Sequence, residues 1–344
     1  MKKIFLVLFT LLFTAGLVSC GQRENIDVIP CTDIMFEYFD TVTEITAYGA
    51  NQEEFDTHCG RIEEILAEYH RLFDIYHSYT GINNLHTVNA KAGKEPVEVD
   101  TKLIDFLLFA KEMYTLTKGQ VNIAFGAVTS LWHAAREKGE TLPEKDALLS
   151  AAEHCNIDDV IIDTEKSTVF LRDEKMSIDA GALGKGYACE MAARYLEANN
   201  QTGYALNLGG NIRVTGKKTD TDYWSAGIQN PDLTSSLAYI ETVLLKENAL
   251  VTSGSYMRYY TVDGVDYHHI IDPYTLYPQN ECASVSVLCG DSALGDALST
   301  ALFNMSVEDG KSLINSIENA HAMWVDKDGK VYYSDNFKSY IVNS

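Results

Sequence analysis

Apolar residues recur at helical spacing in several stretches of the chain. Phe55, Cys59 and Ile62 are three or four residues apart, and this spacing predicts an amphipathic helix over 53–71. Asp100 is a residue type that caps helix N-termini, and an apolar run follows it. The same reasoning predicts six further helices, over 103–116, 125–136, 143–154, 187–197, 292–303 and 307–316.

Other stretches alternate apolar and polar residues, which is typical of strands. The segment 37–48 alternates and is rich in aromatic and β-branched residues, whereas 72–94 shows no period and is predicted to be a loop. Asp263-Gly264 and Asp328-Gly329 are hairpin-turn dipeptides. Further strands are predicted over 160–162, 168–171, 204–208, 212–215, 224–228, 238–245, 256–261, 283–288, 323–325 and 331–333. Helices dominate the first half of the chain and antiparallel-type strands the second, so the pattern predicts an α+β fold with a single large domain.

The first residues have the pattern of an export signal. Two lysines precede an apolar stretch from Ile4 to Leu12, which is too short to span a membrane. Leu17-Val18-Ser19-Cys20 follows and resembles the lipobox of bacterial lipoproteins. The resemblance implies cleavage before Cys20 and lipidation of this residue. Ordinary secretion, with Cys20 an incidental thiol, is the alternative. The predicted organisation is a signal peptide over 1–19, a lipidated tether over 20–33 and one domain over 34–344.

The composition excludes some classes of partner. The chain has 27 basic and 49 acidic residues, for a formal net charge of −22. Such a charge disfavours nucleic-acid binding and an electrostatic hold on anionic lipid. An anionic ligand would therefore need local cations or a metal ion. The cysteines form no CxxC pair, and Cys189 and Cys289 lie in apolar stretches, which favours mostly free, buried thiols.

One glycine-rich stretch, 177–187, has the composition of a phosphate-binding turn. Asp179 is followed by three glycines, with Lys185 between the last two, and a predicted helix begins at once. Glycines allow close backbone approach to a ligand, helix N-termini attract anions, and lysine adds a point charge. The alternative is a tight strand-to-helix turn with a solvated lysine.

Two later segments carry side chains suited to metal binding and proton transfer. Asp296 and Thr300 are four residues apart at the start of a predicted helix and therefore share one face. A carboxylate and a hydroxyl are hard oxygen ligands that suit Mg²⁺. His269 can accept a proton near neutral pH, and the acid of Asp272, in a predicted turn, could orient it. An exposed helix start and ordinary strand histidines, His268 included, are the alternatives.

Four segments together resemble a known family. They are 179–187, 207–212, 268–278 and 295–303, and their order and spacing are similar to those of the ApbE family, the FAD:protein FMN transferases, over about residues 36–325. Many members of this family are lipoproteins.

The resemblance implies a set of site residues. It implies Mg²⁺ bound by the main-chain carbonyl of Ala182 and the side chains of Asp296 and Thr300, with Ser299 beside them. It implies His269 as the catalytic base. The positions that contact FAD in the family correspond to Phe39, Tyr76, Gln120, Val121, Asn122, Asp179, Lys185 and Ile271.

The resemblance also implies the reaction. A threonine hydroxyl of an exported acceptor protein, either a membrane redox subunit or another flavoprotein, attacks FAD, keeps FMN and releases AMP. The predicted location is the extracytoplasmic face of the cell membrane, through the lipid anchor. Two alternatives stay open: hydrolysis of FAD to FMN and AMP at the same site, and a non-catalytic FAD-binding lipoprotein.

Overall fold

The computed structural model describes residues 30–139, 141–218 and 221–342. The α-helices in these ranges are α1 (Gln52–Phe73), α2 (Leu85–Ala90), α3 (Thr101–Leu116), α4 (Gly126–Lys138), α5 (Lys145–Ala152), α6 (Gly184–Ala198), α7 (Ser292–Asn304) and α8 (Val307–Ile314). The strands are β1 (Cys31–Met35), β2 (Thr43–Ala47), β3 (Val97–Glu98), β4 (Val160–Asp163), β5 (Thr168–Leu171), β6 (Tyr204–Leu208), β7 (Asn211–Thr215), β8 (Trp224–Gln229), β9 (Tyr239–Leu245), β10 (Ala249–Gly254), β11 (Tyr259–Val262), β12 (Val265–His268), β13 (Cys282–Cys289), β14 (His321–Asp326) and β15 (Val331–Tyr333).

A central eight-stranded sheet organises the fold. Its order is β1-β2-β6-β7-β10-β13-β14-β15, and every neighbouring pair is antiparallel. Smaller sheets pair β3 and β4 with β5, β8 with β9, and β11 with β12. The α+β prediction is confirmed, as is the concentration of antiparallel strands in the second half.

Both faces of the central sheet are covered. On one face α7 packs against β10 and β13, and α6 packs against α7, α1 and β7. On the other face the β8–β9 hairpin encloses a second cluster, which includes Trp224, Leu250 and Leu288. Successive strand residues point to opposite faces, so Val287 packs on the helical side while Leu288 packs on the hairpin side. The sheet is thus a rigid support for α6 and α7.

Most predicted elements are present, and one predicted helix start has the expected cap. The side chain of Asp100 accepts a hydrogen bond from the backbone N–H of Lys102 at 2.8 Å. Both hairpins form at the predicted Asp-Gly dipeptides, between β11 and β12 and between β14 and β15. None of the helices described is long and apolar enough to cross a membrane.

Several element predictions were wrong, and strands β1 and β3 were not predicted. The strand predicted over 37–48 is only β2, because Phe39 and Asp40 have φ values of 57° and 49° and turn the chain. The loop predicted over 72–94 contains α2, whose N-terminus is capped by the Asn84 side chain. Strand β10, at the centre of the sheet, was missed. Its first three residues are buried and apolar, so they show no alternation.

The cysteines of the described ranges, Cys31, Cys59, Cys155, Cys189, Cys282 and Cys289, are free. Burial raises the pKa of Cys189 and Cys289 to about 12. The prediction that both are buried small apolar residues is confirmed.

Candidate functional site

Helices α6 and α7 touch at Gly186 and Asp296. The backbone N–H of Gly186 donates a hydrogen bond of 2.8 Å to Oδ2 of Asp296. A Cβ atom at Gly186 would lie 2.4 Å from Cβ of Asp296 and 2.5 Å from the carbonyl oxygen of Ser292. Only glycine permits so close an approach. The helix that follows the glycine-rich stretch is thereby joined to the helix that carries the predicted metal ligands.

The carboxylate of Asp296 lies in a buried polar pocket. The residue is 5% exposed, and burial raises its pKa, whereas the nearby Lys185 charge, the Gly186 N–H and the Asn211 amide act in the opposite direction. Oδ1 of Asn211 is buried and has no hydrogen-bond partner. A buried polar atom left alone is costly, and a bound ion or water is a usual reason for one. The pocket therefore has the donor chemistry of a cation site.

The other two predicted metal ligands are on the two helices that meet at Asp296 or directly before one of them. Thr300 is half-buried one turn further along α7, and Ala182 is half-buried just before α6. Ser299 is different: its fully buried hydroxyl lies 2.9 Å from that of Ser253 on β10 and donates to the carbonyl of Asp296. Its oxygen is engaged within the fold, so the structure gives no support to Ser299 as a ligand.

The described ranges contain no group of three or more His, Cys, Asp or Glu side chains that could hold a metal ion. A cation at Asp296 would therefore depend on hydroxyl and carbonyl oxygens, which Mg²⁺ accepts. The residues present fit this ion better than zinc, which prefers nitrogen and sulfur ligands.

The acid and the cation of the glycine-rich stretch have different environments. Asp179 is held in place, since Oδ2 accepts from the Thr129 hydroxyl at 2.8 Å and Oδ1 from the Gly181 N–H at 2.9 Å. Lys185 forms no salt bridge with any described carboxylate. Its positive charge lowers the pKa of both Asp296 and His269. Lys185 is therefore close enough to act on both the metal candidate and the predicted base.

His269 has one ring nitrogen occupied. Its Nδ1 lies 3.2 Å from the carbonyl oxygen of Arg258, which also accepts the His269 backbone N–H at 3.1 Å. Because a carbonyl only accepts, Nδ1 carries the hydrogen and Nε2 is left as the basic nitrogen. The residue keeps solvent-exposed surface, but its ring lines the crevice and is partly desolvated by surrounding protein atoms. This partial desolvation, with the charges of Arg258 and Lys185, lowers the pKa of His269 to about 3.

The neighbours of His269 have structural roles. His268 is buried, with Nε2 2.6 Å from the carbonyl oxygen of Gln279 and Nδ1 accepting from the Ile270 N–H. Asp272 is in the predicted turn, where its carboxylate accepts from the Tyr274 N–H at 2.9 Å. Its carboxylate makes no hydrogen bond to His269 in the structure. The suggestion that Asp272 orients His269 was therefore wrong; the carbonyl of Arg258 has that position.

Three of the predicted FAD contacts are apolar or aromatic side chains in different environments. Phe39 is half-buried in the turn before β2, with its ring edge-on to His70 at 5.6 Å between centroids. Tyr76 is 62% exposed, and its hydroxyl lies 2.8 Å from Nδ1 of His133. Ile271 is buried and lines a crevice together with His269. Phe39 and Tyr76 retain aromatic surface that a planar ligand can contact.

The segment 120–122 abuts the glycine-rich stretch but uses most of its side chains for structure. Val121 is a core residue, 2% exposed. Asn122 donates to the carbonyl of Cys155 and accepts from the Ala124 N–H, at 2.9 Å each. By contrast, Oε1 of Gln120 is buried without a partner. Of these three side chains, only that of Gln120 keeps unused hydrogen-bonding capacity.

Sequence reasoning missed several polar residues that border the cleft. Thr129, His133 and Arg136 occupy one face of α4, at spacings of four and three residues, and line the crevice with His269. Arg258 precedes β11, and its guanidinium donates to the carbonyl of Asp40 at 2.7 Å. The polar spacing along α4 was a usable signal, because residues at i, i+4 and i+7 share a helix face.

Comparisons with known proteins give one consistent family. The model of the ApbE family matches residues 39–324. An FAD:protein FMN transferase of Klebsiella pneumoniae (strain 342) is 29% identical over 275 residues, covering 80% of this chain and 84% of that protein. One from Treponema pallidum (strain Nichols) is 28% identical over 330 residues, covering 92% and 89%.

Solved structures show the same fold. The ApbE protein of Thermotoga maritima superimposes with a TM-score of 0.80 at 27% identity, covering 92% of this chain and all of that one. The flavin transferase ApbE of Vibrio cholerae gives a TM-score of 0.76 at 24% identity, with 91% of this chain covered. Since the family model spans most of the chain and the fold agrees throughout, this protein belongs to the ApbE family.

Proposed function

We propose that this protein transfers FMN from FAD to a threonine side chain of an acceptor protein and releases AMP. The observation that carries the proposal is the charge of Lys185, which acts on both the buried carboxylate of Asp296 and the imidazole of His269. Relatives that cover most of the chain are named FAD:protein FMN transferases, which supports the same reaction.

In the proposed reaction the threonine oxygen attacks the FMN-side phosphorus of FAD. The bond from this phosphorus to the bridging oxygen breaks, and AMP leaves with the electron pair. Nε2 of His269 takes the hydroxyl proton, which is consistent with the Nδ1 contact to the Arg258 carbonyl. The unpaired charge of Lys185 neutralises phosphate oxygens. Aromatic surface at Phe39 and Tyr76 contacts the rings of FAD, and Asp179 and Gln120 offer oxygens to its polar groups.

Asp296, Thr300 and the carbonyl of Ala182 would hold Mg²⁺. The buried carboxylate and the partnerless Oδ1 of Asn211 beside it support this assignment. When bound, the ion supplies positive charge that stabilises the pyrophosphate of FAD during transfer. Asp296 is held by Gly186 independently of the ion, so the main ligand is already oriented.

The test is covalent flavin on an acceptor. The full chain is incubated with FAD, Mg²⁺ and an exported acceptor protein, then denatured, and the flavin fluorescence of the acceptor band is compared with AMP release. We expect one AMP per flavinylated acceptor. Equal consumption of FAD with and without acceptor, and no fluorescent band, would instead indicate hydrolysis by water at the exposed His269. Retention of FAD without any turnover would indicate a binding protein.

We further propose that residue 20 is lipidated and that the domain over 34–344 is tethered to the extracytoplasmic face of the cell membrane. The lipobox-like Leu17-Val18-Ser19-Cys20 supports this; these residues lie outside the described ranges. Labelled palmitate should enter the wild-type chain but not Cys20→Ala. Equal labelling of both would refute lipidation at this cysteine.

A further inference from the structure

Two arginines beside the cleft lack an acidic partner. Among the seven arginines in the described ranges, four form ion pairs with carboxylates, namely Arg61, Arg172, Arg194 and Arg213. Arg71, Arg136 and Arg258 do not, although the chain has 49 acidic and 27 basic residues. Of these three, Arg136 lines the crevice with His133 and His269, and Arg258 acts on both histidines. Arg258 donates to the carbonyl of Asp40, whereas the guanidinium of Arg136 has no hydrogen bond or ion pair to any described residue. In so acidic a chain, two such side chains at one cleft need an explanation.

Arg136 is held at the wall of the crevice by its helix. It is half-buried on the α4 face that also carries Thr129 and His133. Trp132, on the same helix, is buried and donates from Nε1 to the carbonyl of Leu276 at 2.9 Å, which anchors α4 to the turn after His269. A half-buried guanidinium is costly without an anion, and its planar donors match carboxylate and phosphate oxygens.

The cations act on different residues of the site. Lys185 acts on Asp296 and His269. Arg258 acts on His269 and His133, and Arg136 acts on His133. Arg136 also lines the crevice together with His133 and His269. Lys185 is the cation proposed for the reacting phosphates, so Arg136 is available for a different anionic group.

We propose that Arg136, with Arg258 beside it, forms an oxyanion subsite for a substrate of the proposed transfer reaction. The inference rests on that reaction only in naming the two sources of the anion. One source is a phosphate of FAD that extends past His269. The other is a carboxylate near the target threonine of the acceptor, since the attacking hydroxyl must approach His269 from the side away from the leaving AMP. Both present the same chemistry to a guanidinium.

Two variants of α4 test this subsite against a matched control. Arg136→Gln removes both the positive charge and the paired N–H donors of the guanidinium. Arg136→Lys keeps the charge but loses the paired donors. Lys138→Gln removes a charge from an exposed position two residues on in the same helix. Affinity for FAD is measured without Mg²⁺ and without acceptor, by quenching of flavin fluorescence. The KM for acceptor is measured in the complete reaction.

We expect Arg136→Gln either to lower the affinity for FAD or to raise the KM for acceptor, by about ten- to a hundredfold. This is the usual range for a hydrogen bond to a charged group. Arg136→Lys should be intermediate, and Lys138→Gln should match the wild type. Lower FAD affinity assigns the anion to phosphate, and a raised acceptor KM alone assigns it to a carboxylate. If Arg136→Gln and Lys138→Gln have the same FAD affinity and the same KM for acceptor, the subsite is refuted. If the wild type flavinylates no acceptor, the transfer proposal fails, and the FAD measurement alone then decides on Arg136.

Discussion

The carboxylate of Glu190 on α6 accepts a hydrogen bond of 2.8 Å from the backbone N–H of Ser292, the first residue of α7. The same oxygen accepts from Nε of Arg213 on β7 at 3.0 Å, and both side chains are about 5% exposed or less. One buried carboxylate therefore ties together two helices and the central sheet. These hydrogen bonds lie one helical turn from the contact between Gly186 and Asp296. They therefore fix the separation of the two helices at the candidate metal site.

Replacing Glu190 with Gln should destabilise the fold. The change leaves the charge of Arg213 buried with one remaining carboxylate, that of Glu197, and breaking a buried pair costs about 3–5 kcal/mol. Urea unfolding measures the loss. Glu197→Gln is the control, since that side chain is 43% exposed and should cost under about 1 kcal/mol. Equal losses in the two variants would contradict the central role of Glu190.

Gly186→Ala should disturb both stability and the metal site. Its Cβ would lie 2.4 Å from that of Asp296, so α6 and α7 must separate, at a cost of about 1–3 kcal/mol. When FAD turnover is measured at increasing Mg²⁺ concentration, the variant should need more Mg²⁺ for half-maximal activity. Urea unfolding should give a lower free energy of unfolding. Gly60→Ala in α1 is the matched control: nothing lies within 4 Å of its Cβ, so stability should stay equal or rise by about 0.5–1 kcal/mol. Similar behaviour of both variants would argue against the close contact.

Asp296→Asn should abolish Mg²⁺-dependent turnover. The amide keeps the size of the side chain but loses the negative charge, and loss of a metal ligand should cost more than the roughly 10–100-fold typical of residues behind a ligand. FAD binding without Mg²⁺ should be retained, because the change lies at the proposed metal end. Asp291→Asn is the control, since Asp291 caps α7 with a hydrogen bond to the Leu294 N–H and asparagine caps equally well. Unchanged turnover in Asp296→Asn would remove the metal assignment.

The pH dependence of stability should report on His269. Its pKa is about 3 in the fold and about 6.5 in the unfolded chain. Between these values the unfolded chain binds more protons, so the free energy of unfolding should fall as pH drops from about 6.5 towards 3. His269→Gln should flatten this slope, measured by urea unfolding at several pH values. An unchanged slope would mean that His269 is not crowded as the structure indicates.

The rate of the reaction should also be insensitive to mild acid as far as His269 is concerned. Because the imidazole is neutral in the free protein down to about pH 3, kcat/KM should show no loss near pH 6.5 attributable to this residue. Arg258→Gln removes one of the charges that lower the pKa, so any acid limb due to His269 should move to higher pH. A clear limb near 6.5 in the wild type, absent in His269→Gln, would contradict the assignment of a low pKa.

Local pattern predicted most of the elements, and three of its failures have identifiable physical reasons. Strand β10 is buried on both faces, so it lacks the alternation of a half-exposed strand. The turn at Phe39 and Asp40 requires positive φ at two non-glycine residues, a conformation that these residue types do not signal. Helix α2 has only six residues, too few for a helical period to be recognised.

The candidate site was predictable where it depends on residue type at fixed spacing. Asp296 and Thr300 share a helix face, and Asp179 and Lys185 frame a glycine-rich turn. Asn211 and Arg258 were missed as site residues, because their roles depend on packing between distant elements, whereas Thr129 and Arg136 share a helix face that the spacing along α4 could have indicated. The family resemblance placed Ser299 beside the metal, yet its hydroxyl bonds Ser253.

The sequence by itself determined which reactive groups this protein carries: a carboxylate and a hydroxyl on one helix face, a lysine in a glycine-rich turn, a candidate base and the similarity to the ApbE family. Only the tertiary structure decided how they meet. Gly186 and Asp296 are 110 residues apart in the chain, and their contact depends on the fit of α6 against α7 over the sheet. Local spacing constrains neighbours within a few residues, whereas contacts over such separations follow from the packing of whole elements.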